Sequence, residues 1–181
     1  YHDLYVNGQK VGDRVLAPAV SNLNSRALYN VYDIAPYLQP GENVIALWLG
    51  MSWSIFPEYS IPPDKPLVIG QFELYPEDET PQIIVTDASW KIHDSPNTLL
   101  GIWFFREYGG ERYDMNLEQV GWNAPNFDDS SWDAVSTFPA DIELNWENVE
   151  PNRVLTELSP VAIKDVAMRL FPNDSSSPIV T

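Results

Sequence analysis

Residues 3–13, Asp-Leu-Tyr-Val-Asn-Gly-Gln-Lys-Val-Gly-Asp, decide the fold class. Two short alternating runs flank Asn7-Gly8, and Asn-Gly is the strongest local hairpin signal because both residues tolerate positive φ. The chain therefore opens with a strand, a two-residue turn and a returning strand. Working outward, the same style recurs. Ala27 to Ile34 (ALYNVYDI) alternates apolar and polar residues, so one face should meet a core. After Pro40-Gly41-Glu42-Asn43 comes VIALWLG (44–50), apolar nearly throughout, which predicts a central strand covered on both faces. PLVIGQFELYP (66–76) alternates again, with Val68, Gly70, Phe72 and Leu74 on one side.

The second half continues in kind. QIIVTDASWKIHD (82–94) reads as a strand, a turn at Asp87-Ala88 and a strand from about Trp90. LLGIWFFREYGGERYDM (99–115) is strongly aromatic up to the Gly109-Gly110 break, and FDDSSWDAV (127–135) sets a turn ahead of Trp132. Sixteen prolines disfavour long helices, and no repeat or heptad is visible. Roughly eight to ten strands predict an all-β chain, a two-sheet antiparallel jelly-roll β-sandwich.

Three segments read as irregular: the proline-rich 51–66, the acidic, Asn-rich 139–153 and the Ser-rich end 170–181. Residues 1–160 are expected to form the sandwich and 161–181 to start a connection to a following domain. Because the chain begins inside an apparent strand, it reads as a segment of a longer protein.

A net charge of −16, with 26 acidic against 10 basic residues, argues against nucleic acid and anionic membranes, which need clustered Lys and Arg. No run of about 18 apolar residues is present to span a bilayer. Cysteine is absent and His2 and His93 stand apart, which sets aside disulfides, thiolate zinc sites and histidine triads. An acidic surface is compatible with neutral sugars and with a hard cation such as calcium.

The motifs are specific enough to name a family. LYVNGQKVGDRVLAP (4–18), followed by RALYNVYDIAPYLQPGENVIALWLGMSW (26–53), resembles the N-terminal domain of bacterial α-L-rhamnosidases. YGGERYDMNLEQVGWNAPNFDDSSW (108–132) resembles that family's Gly-Glu-x-Tyr-Asp motif and its Gly-Trp and Phe-Asp-Asp-Ser-x-Trp close. The first block also occurs, more loosely, in the sugar-binding jelly rolls of β-galactosidases and other galactose-binding-like domains, so alone it implies a galactose-binding-domain-like fold, and the second block narrows the assignment. Two departures stand out: Asp114-Met115-Asn116 where Asp-Ala-Arg is usual, and Gly50-Met51-Ser52-Trp53 where glycine precedes the Trp. No role of the missing Arg or Gly is carried over.

The resemblance implies a non-catalytic module in front of a separate (α/α)6 catalytic barrel of the same chain, in an enzyme releasing terminal L-rhamnose from glycans or glycosides. Some related domains hold L-rhamnose through calcium, although no ligand set matches here residue by residue. A periplasmic or extracellular location is expected, with a cytoplasmic one as the alternative. The rival readings are a structural interdomain spacer, a sugar-binding jelly roll of a β-galactosidase-type enzyme, and a catalytic fragment.

Glycosidic catalysis needs two carboxyl groups about 5 to 10 Å apart, one of them with a raised pKa. Glu107 and Glu111, among Phe104, Phe105, Tyr108 and Tyr113, are the pair to inspect. Ordinary loop carboxylates are the favoured reading, since the resemblance puts the acid and base in the barrel, so no catalytic residue is assigned. Sugar binding needs an aromatic face and planar polar groups. Trp53 and Trp103 are the stacking candidates, with Glu111, Tyr113, Asp114 and Asn116 as polar partners. A packing role for residues 109–114 is an equal contender. Trp48, Trp90 and Trp132 are given to the core, Asp128-Asp129-Ser130 to a backbone-capping turn, and Asn7-Gly8 to a hairpin alone.

Overall fold

The computed structural model describes residues 1–51, 66–77, 80–101 and 109–162, with the backbone of two short strands at 168–169 and 179–180. In chain order the strands are β1 (His2–Val6), β2 (Gln9–Lys10), β3 (Arg14–Val15), β4 (Arg26–Tyr29), β5 (Ile45–Leu49), β6 (Gln71–Leu74), β7 (Gln82–Val85), β8 (Lys91–Ile92), β9 (Asn97–Leu100), β10 (Gly110–Tyr113), β11 (Asp133–Ala134), β12 (Glu143–Trp146), β13 (Asn152–Arg153), β14 (Met168–Arg169) and β15 (Ile179–Val180). Two single 3-10 turns, Ala35–Tyr37 and Met115–Leu117, are the only helical elements among the described residues. The chain is all-β. It divides into two compact units, one of Tyr1–His93 with Gly121–Leu155 and one of Asp94–Val120 with Thr156–Thr181.

The larger unit is organised by the opening hairpin. Tyr5 faces Lys10 and Val6 faces Gln9, which leaves Asn7 and Gly8 as a two-residue loop at φ 50° and 82°. Both values lie in the left-handed region that the right-handed twist of paired strands favours. A side chain at Gly8 would also meet Ala124, whose Cβ lies 3.5 Å from where the new carbon would sit. Asn7 does more than turn the chain. Its Nδ2 donates to Tyr37 O (2.9 Å) and Asn43 Oδ1 (2.8 Å), and its Oδ1 accepts from the N–H of Val44 at 2.9 Å. The hairpin is thereby tied to the Gly41-Glu42-Asn43 turn that feeds β5.

β1 is the centre of a three-stranded antiparallel sheet ordered β2-β1-β5. Among the described strands β5, within the expected central strand 44–50, pairs with β1 on one side, and every residue of β5 is half-buried. Alternation sorts the faces. Leu4 opposite Leu47 and Val6 opposite Ile45 point to the core, where Leu4, Val6 and Val11 are enclosed by Tyr32, Ile34, Tyr37 and Phe72. Val6 is fully buried, which contributes about 2 kcal/mol of transfer free energy.

The reverse face carries Asp3, Tyr5 and Trp48, and residues 121–132 cover it. Trp122 stands 5.5 Å from Tyr5 and 5.7 Å from Trp48, ring centre to ring centre, with Trp132 6.5 Å beyond. The Gly8 N–H donates to Asn123 O at 2.7 Å, anchoring this cover to the hairpin. Trp48, Trp90 and Trp132 are half-buried rather than enclosed. Trp48 and Trp132 belong to this outer aromatic layer, and Trp90 stacks on Phe72 at 5.9 Å. The Asp128 triplet forms the expected turn, with the Ser130 N–H donating to Asp128 Oδ1 at 3.0 Å.

Residues 139–153, expected to be a loop, supply two strands. β12 pairs with β4 in parallel, from Glu143 opposite Arg26 to Trp146 opposite Tyr29, and β13 pairs antiparallel with β3. The parallel pair departs from the all-antiparallel expectation. Only a connection returning from far along the chain can lay β12 beside β4 in that direction.

In the smaller unit β9 and β10 pair antiparallel, Asn97 opposite Tyr113 and Leu100 opposite Gly110, and β14 pairs with β15.

Candidate functional site

Of the residues singled out from the sequence, Trp53, Trp103 and Glu107 lie outside the described residues. Glu111, Tyr113, Asp114 and Asn116 fall together on β10 and the turn that follows it. Glu111 and Tyr113 are two apart on the strand and so share a face, to which the opposing Leu99 and Asn97 also point. Asn97 Nδ2 donates to Glu111 Oε1 across the pair. The Glu111 carboxylate is thus engaged by an amide, the ordinary role for a strand carboxylate. Tyr113 is exposed, and partial burial followed by the Glu118 carboxylate pushes its hydroxyl pKa up.

Asp114 and Asn116 have a local task. Asp114 Oδ1 accepts from the backbone N–H of Asn116 at 3.0 Å and from its Nδ2 at 2.9 Å, capping the 3-10 turn Met115–Leu117. The backbone and then the side-chain hydrogen bond of Asn116 hold the Asp114 carboxyl below its ordinary range. These four residues make a hydrogen-bonded strand end with one exposed aromatic ring. Among the described residues no group of three or more His, Asp or Glu is placed to hold a metal ion.

The larger unit holds a buried carboxylate that the sequence reading missed. Glu147, just past β12, is 5% exposed. Its Oε1 accepts from the Ala19 N–H at 2.7 Å, and its Oε2 accepts from Arg14 Nη1 at 3.2 Å and from Asn30 Nδ2. Its own N–H donates to Tyr29 O at 3.0 Å. One side chain therefore joins the ends of β3, β4 and β12. A buried charge persists only when paired and fully hydrogen-bonded, as here, and the arrangement positions backbone rather than exposing an acid.

The same unit has an open cleft of about 550 Å³ between the β6–β7 pair and the segment from Tyr32 to Leu38. Ile34, Leu38, Leu74, Asp33, Glu73 and Tyr75 are among the residues that line it, and alternation along β6 turns the Glu73 side chain to the face opposite Phe72 and Leu74. Glu73 is gripped by two donors, Gln71 Nε2 at 2.5 Å and the Tyr75 hydroxyl. These bonds, Tyr75 first, hold its carboxyl below the usual carboxylate range. That is the opposite of the raised pKa a glycosidic acid requires. The Gln71-Glu73-Tyr75 alternation was visible in the strand pattern, but the facing segment 32–38 was not.

Comparison with known proteins gives one consistent result. Residues 1–156 match the family described as the α-L-rhamnosidase N-terminal domain. An α-L-rhamnosidase of Formosa agariphila is 34% identical in an alignment 174 residues long that covers 88% of this chain and 17% of that protein. The α-L-rhamnosidase structure from Dictyoglumus thermophilum superposes with a TM-score of 0.72 at 34% identity, covering 89% of this chain and 17% of that one. The Streptomyces avermitilis α-L-rhamnosidase, solved in complex with L-rhamnose, gives a TM-score of 0.72 at 27% identity over 86% of this chain and 15% of that one. The chain spans about one sixth of the length of these relatives. A β-rich body with an Asn-Gly hairpin, a Gly-Trp cover and a match over 156 of 181 residues places the chain in the α-L-rhamnosidase N-terminal domain family.

Proposed function

We propose that this chain is the non-catalytic, carbohydrate-associated module of an α-L-rhamnosidase, which binds sugar or supports the active site of a catalytic domain in the same polypeptide. The observation that carries the reading is the match over residues 1–156 to a domain occupying only 17% of an α-L-rhamnosidase. A hydrolytic machine would then lie elsewhere in the parent chain. The chemistry of the carboxylates agrees: Glu111 is engaged by Asn97, Asp114 caps a turn and Glu147 ties strands together. The acidic, cysteine-free composition supports a place in the periplasm or outside the cell.

L-rhamnose is the sugar to try, because it is the ligand of the related Streptomyces avermitilis enzyme structure. Calorimetric titration of the 181-residue chain with L-rhamnose, in calcium and again in chelator, should give a saturable heat in at least one condition. No heat in either would favour a spacer that only positions its neighbours.

A further inference from the structure

Asn7-Gly8 is the one Asn-Gly pair in the sequence, and it forms the turn from which the first sheet is built. Asparagine is thermolabile because its side-chain carbon can be attacked by the backbone nitrogen of the next residue. Glycine in that second place leaves the nitrogen unhindered, since it has no side chain and tolerates every backbone angle. In an opened chain this pair is therefore the most reactive of the asparagines. The folded hairpin withholds both groups that the reaction uses.

The nucleophile is the Gly8 nitrogen, whose N–H donates to Asn123 O at 2.7 Å. The leaving group is Asn7 Nδ2, which donates to Tyr37 O at 2.9 Å and to Asn43 Oδ1 at 2.8 Å. One contact works the other way: the Val44 N–H donates to Asn7 Oδ1 at 2.9 Å and draws electrons from the carbon under attack. The same bond pins the amide plane, so the side chain cannot turn toward the nitrogen while it lasts. Residues 37, 43, 44 and 123 must all let go before the atoms can react, which is local opening of the hairpin.

We infer that Asn7 is a covalent modification site gated by hairpin opening, whose deamidation converts a transient opening into a permanent one. In the opened chain the Gly8 nitrogen bonds to Asn7 Cγ, the Cγ–Nδ2 bond breaks, and Nδ2 leaves as ammonia with the proton that Gly8 gives up. Water then adds to the five-membered imide and breaks one of its two ring C–N bonds, leaving an aspartate at position 7 or its β-linked isomer. Both products oppose closing. The aspartate has a carboxylate where the donor to Tyr37 O and Asn43 Oδ1 stood, so acceptor faces acceptor. Asn43 cannot flip to compensate, because its Nδ2 already donates to Gln39 O at 2.8 Å and Gly41 O at 3.0 Å. The β-linked isomer lengthens the backbone of a two-residue loop whose length is set by the pairs Tyr5–Lys10 and Val6–Gln9. Each reacted chain is thereby lost from the folded pool, whatever the domain does with sugar.

The test is incubation of the 181-residue chain in buffer and in denaturing guanidinium chloride, with the fragment that holds residue 7 followed by peptide mass spectrometry for loss of ammonia and uptake of water. Deamidation should run at least tenfold slower in buffer. Asn43→Ala, which removes one acceptor of the leaving nitrogen, should raise the rate in buffer several-fold and leave the rate in denaturant unchanged. Asn7→Asp, which builds one of the two products, should melt below the parent. Equal rates in the two solvents, or a faster rate in buffer, overturn the gate, as does an unchanged rate in a folded Asn43→Ala. Should melting show that Asn43→Ala does not fold, the parent in denaturant below its unfolding midpoint decides: the rate must climb with each increment, and a flat rate overturns the gate. An Asn7→Asp chain that melts with the parent overturns the one-way step.

Discussion

Glu147 and Arg14 meet across 133 positions of chain, Arg14 Nη1 donating to Glu147 Oε2 at 3.2 Å, and the contact closes β13 and β12 onto the opening strands. Arg14 keeps some solvent exposure, whereas the Glu147 side chain is only 3% exposed. Removing the carboxylate would strand the N–H of Ala19 and the amide of Asn30 as well as the guanidinium. Glu147→Ala should cost about 3 kcal/mol, the scale for breaking a buried charge network on one side. Urea unfolding checks it, and a loss under about 1 kcal/mol, the worth of one hydrogen bond, would contradict the account.

Asn7 separates two roles that the hairpin alone would merge. Asn7→Gly keeps the positive φ and loses three side-chain bonds, while Asn7→Ala loses the bonds and strains the backbone. Both variants should be destabilised, Asn7→Gly by about 2 kcal/mol from unmet polar groups and Asn7→Ala by about 1 kcal/mol more from left-handed strain. Thermal unfolding of the pair reads the difference. Equal stability of Asn7→Gly and the parent would reduce Asn7 to a turn former.

His2 gives a pH dependence with a definite sign. Its Nε2 lies 3.0 Å from the Tyr32 hydroxyl, and burial holds its pKa below 6.5 against the pull of Asp3 and Glu147. The unfolded chain therefore takes up the proton first as pH falls. The stability contribution is complete above pH 6.5 and is lost as pH drops from there through the folded pKa. Asp87, Asp114 and Asp128 are also depressed, and their contributions disappear in a lower window, below 3.8. Melting the parent and His2→Gln between pH 8 and pH 5 isolates the upper window. The parent should lose stability relative to the variant below pH 6.5, and parallel curves would contradict the assignment.

The ion pair of Lys91 and Asp129, at 2.6 Å, is a contrasting case. Its side chains are 39% and 52% exposed, so water and salt screen most of the attraction. Lys91→Met should change unfolding free energy by no more than about 0.5 kcal/mol, the range of exposed pairs. A loss several times larger would mean that the Lys91 bond to Asp129 O, rather than the charge pair, holds the 127–132 turn.

What could be read from the chain was local. The Asn7-Gly8 turn, the Asp87 and Asp128 turns and the alternation of β6 follow from side chains acting on backbone within a few residues, and all are found. What could not be read was long-range. Residues 139–153 have a surface-like composition, so neither the parallel pairing of β12 with β4 nor the burial of Glu147 shows until residues over a hundred positions apart are brought together. Trp48 and Trp132 looked like core by residue type. They face the reverse side of the first sheet because alternation along β5 puts Trp48 opposite Asp3 rather than Leu4. For the candidate site, Glu111, Tyr113, Asp114 and Asn116 lie together on β10 and its turn as their proximity in sequence suggests, whereas the bond from Asn97 to Glu111 needed the pairing of β9 with β10. The cleft needed two segments about 40 positions apart, which no local pattern announces.

The role proposed for this chain is to serve an α-L-rhamnosidase without performing its chemistry. Incubating the 181-residue chain with an aryl α-L-rhamnoside measures that directly. Release of the aryl group at the rate of buffer alone is the predicted result; steady release that disappears in Glu111→Gln or Glu73→Gln would contradict it.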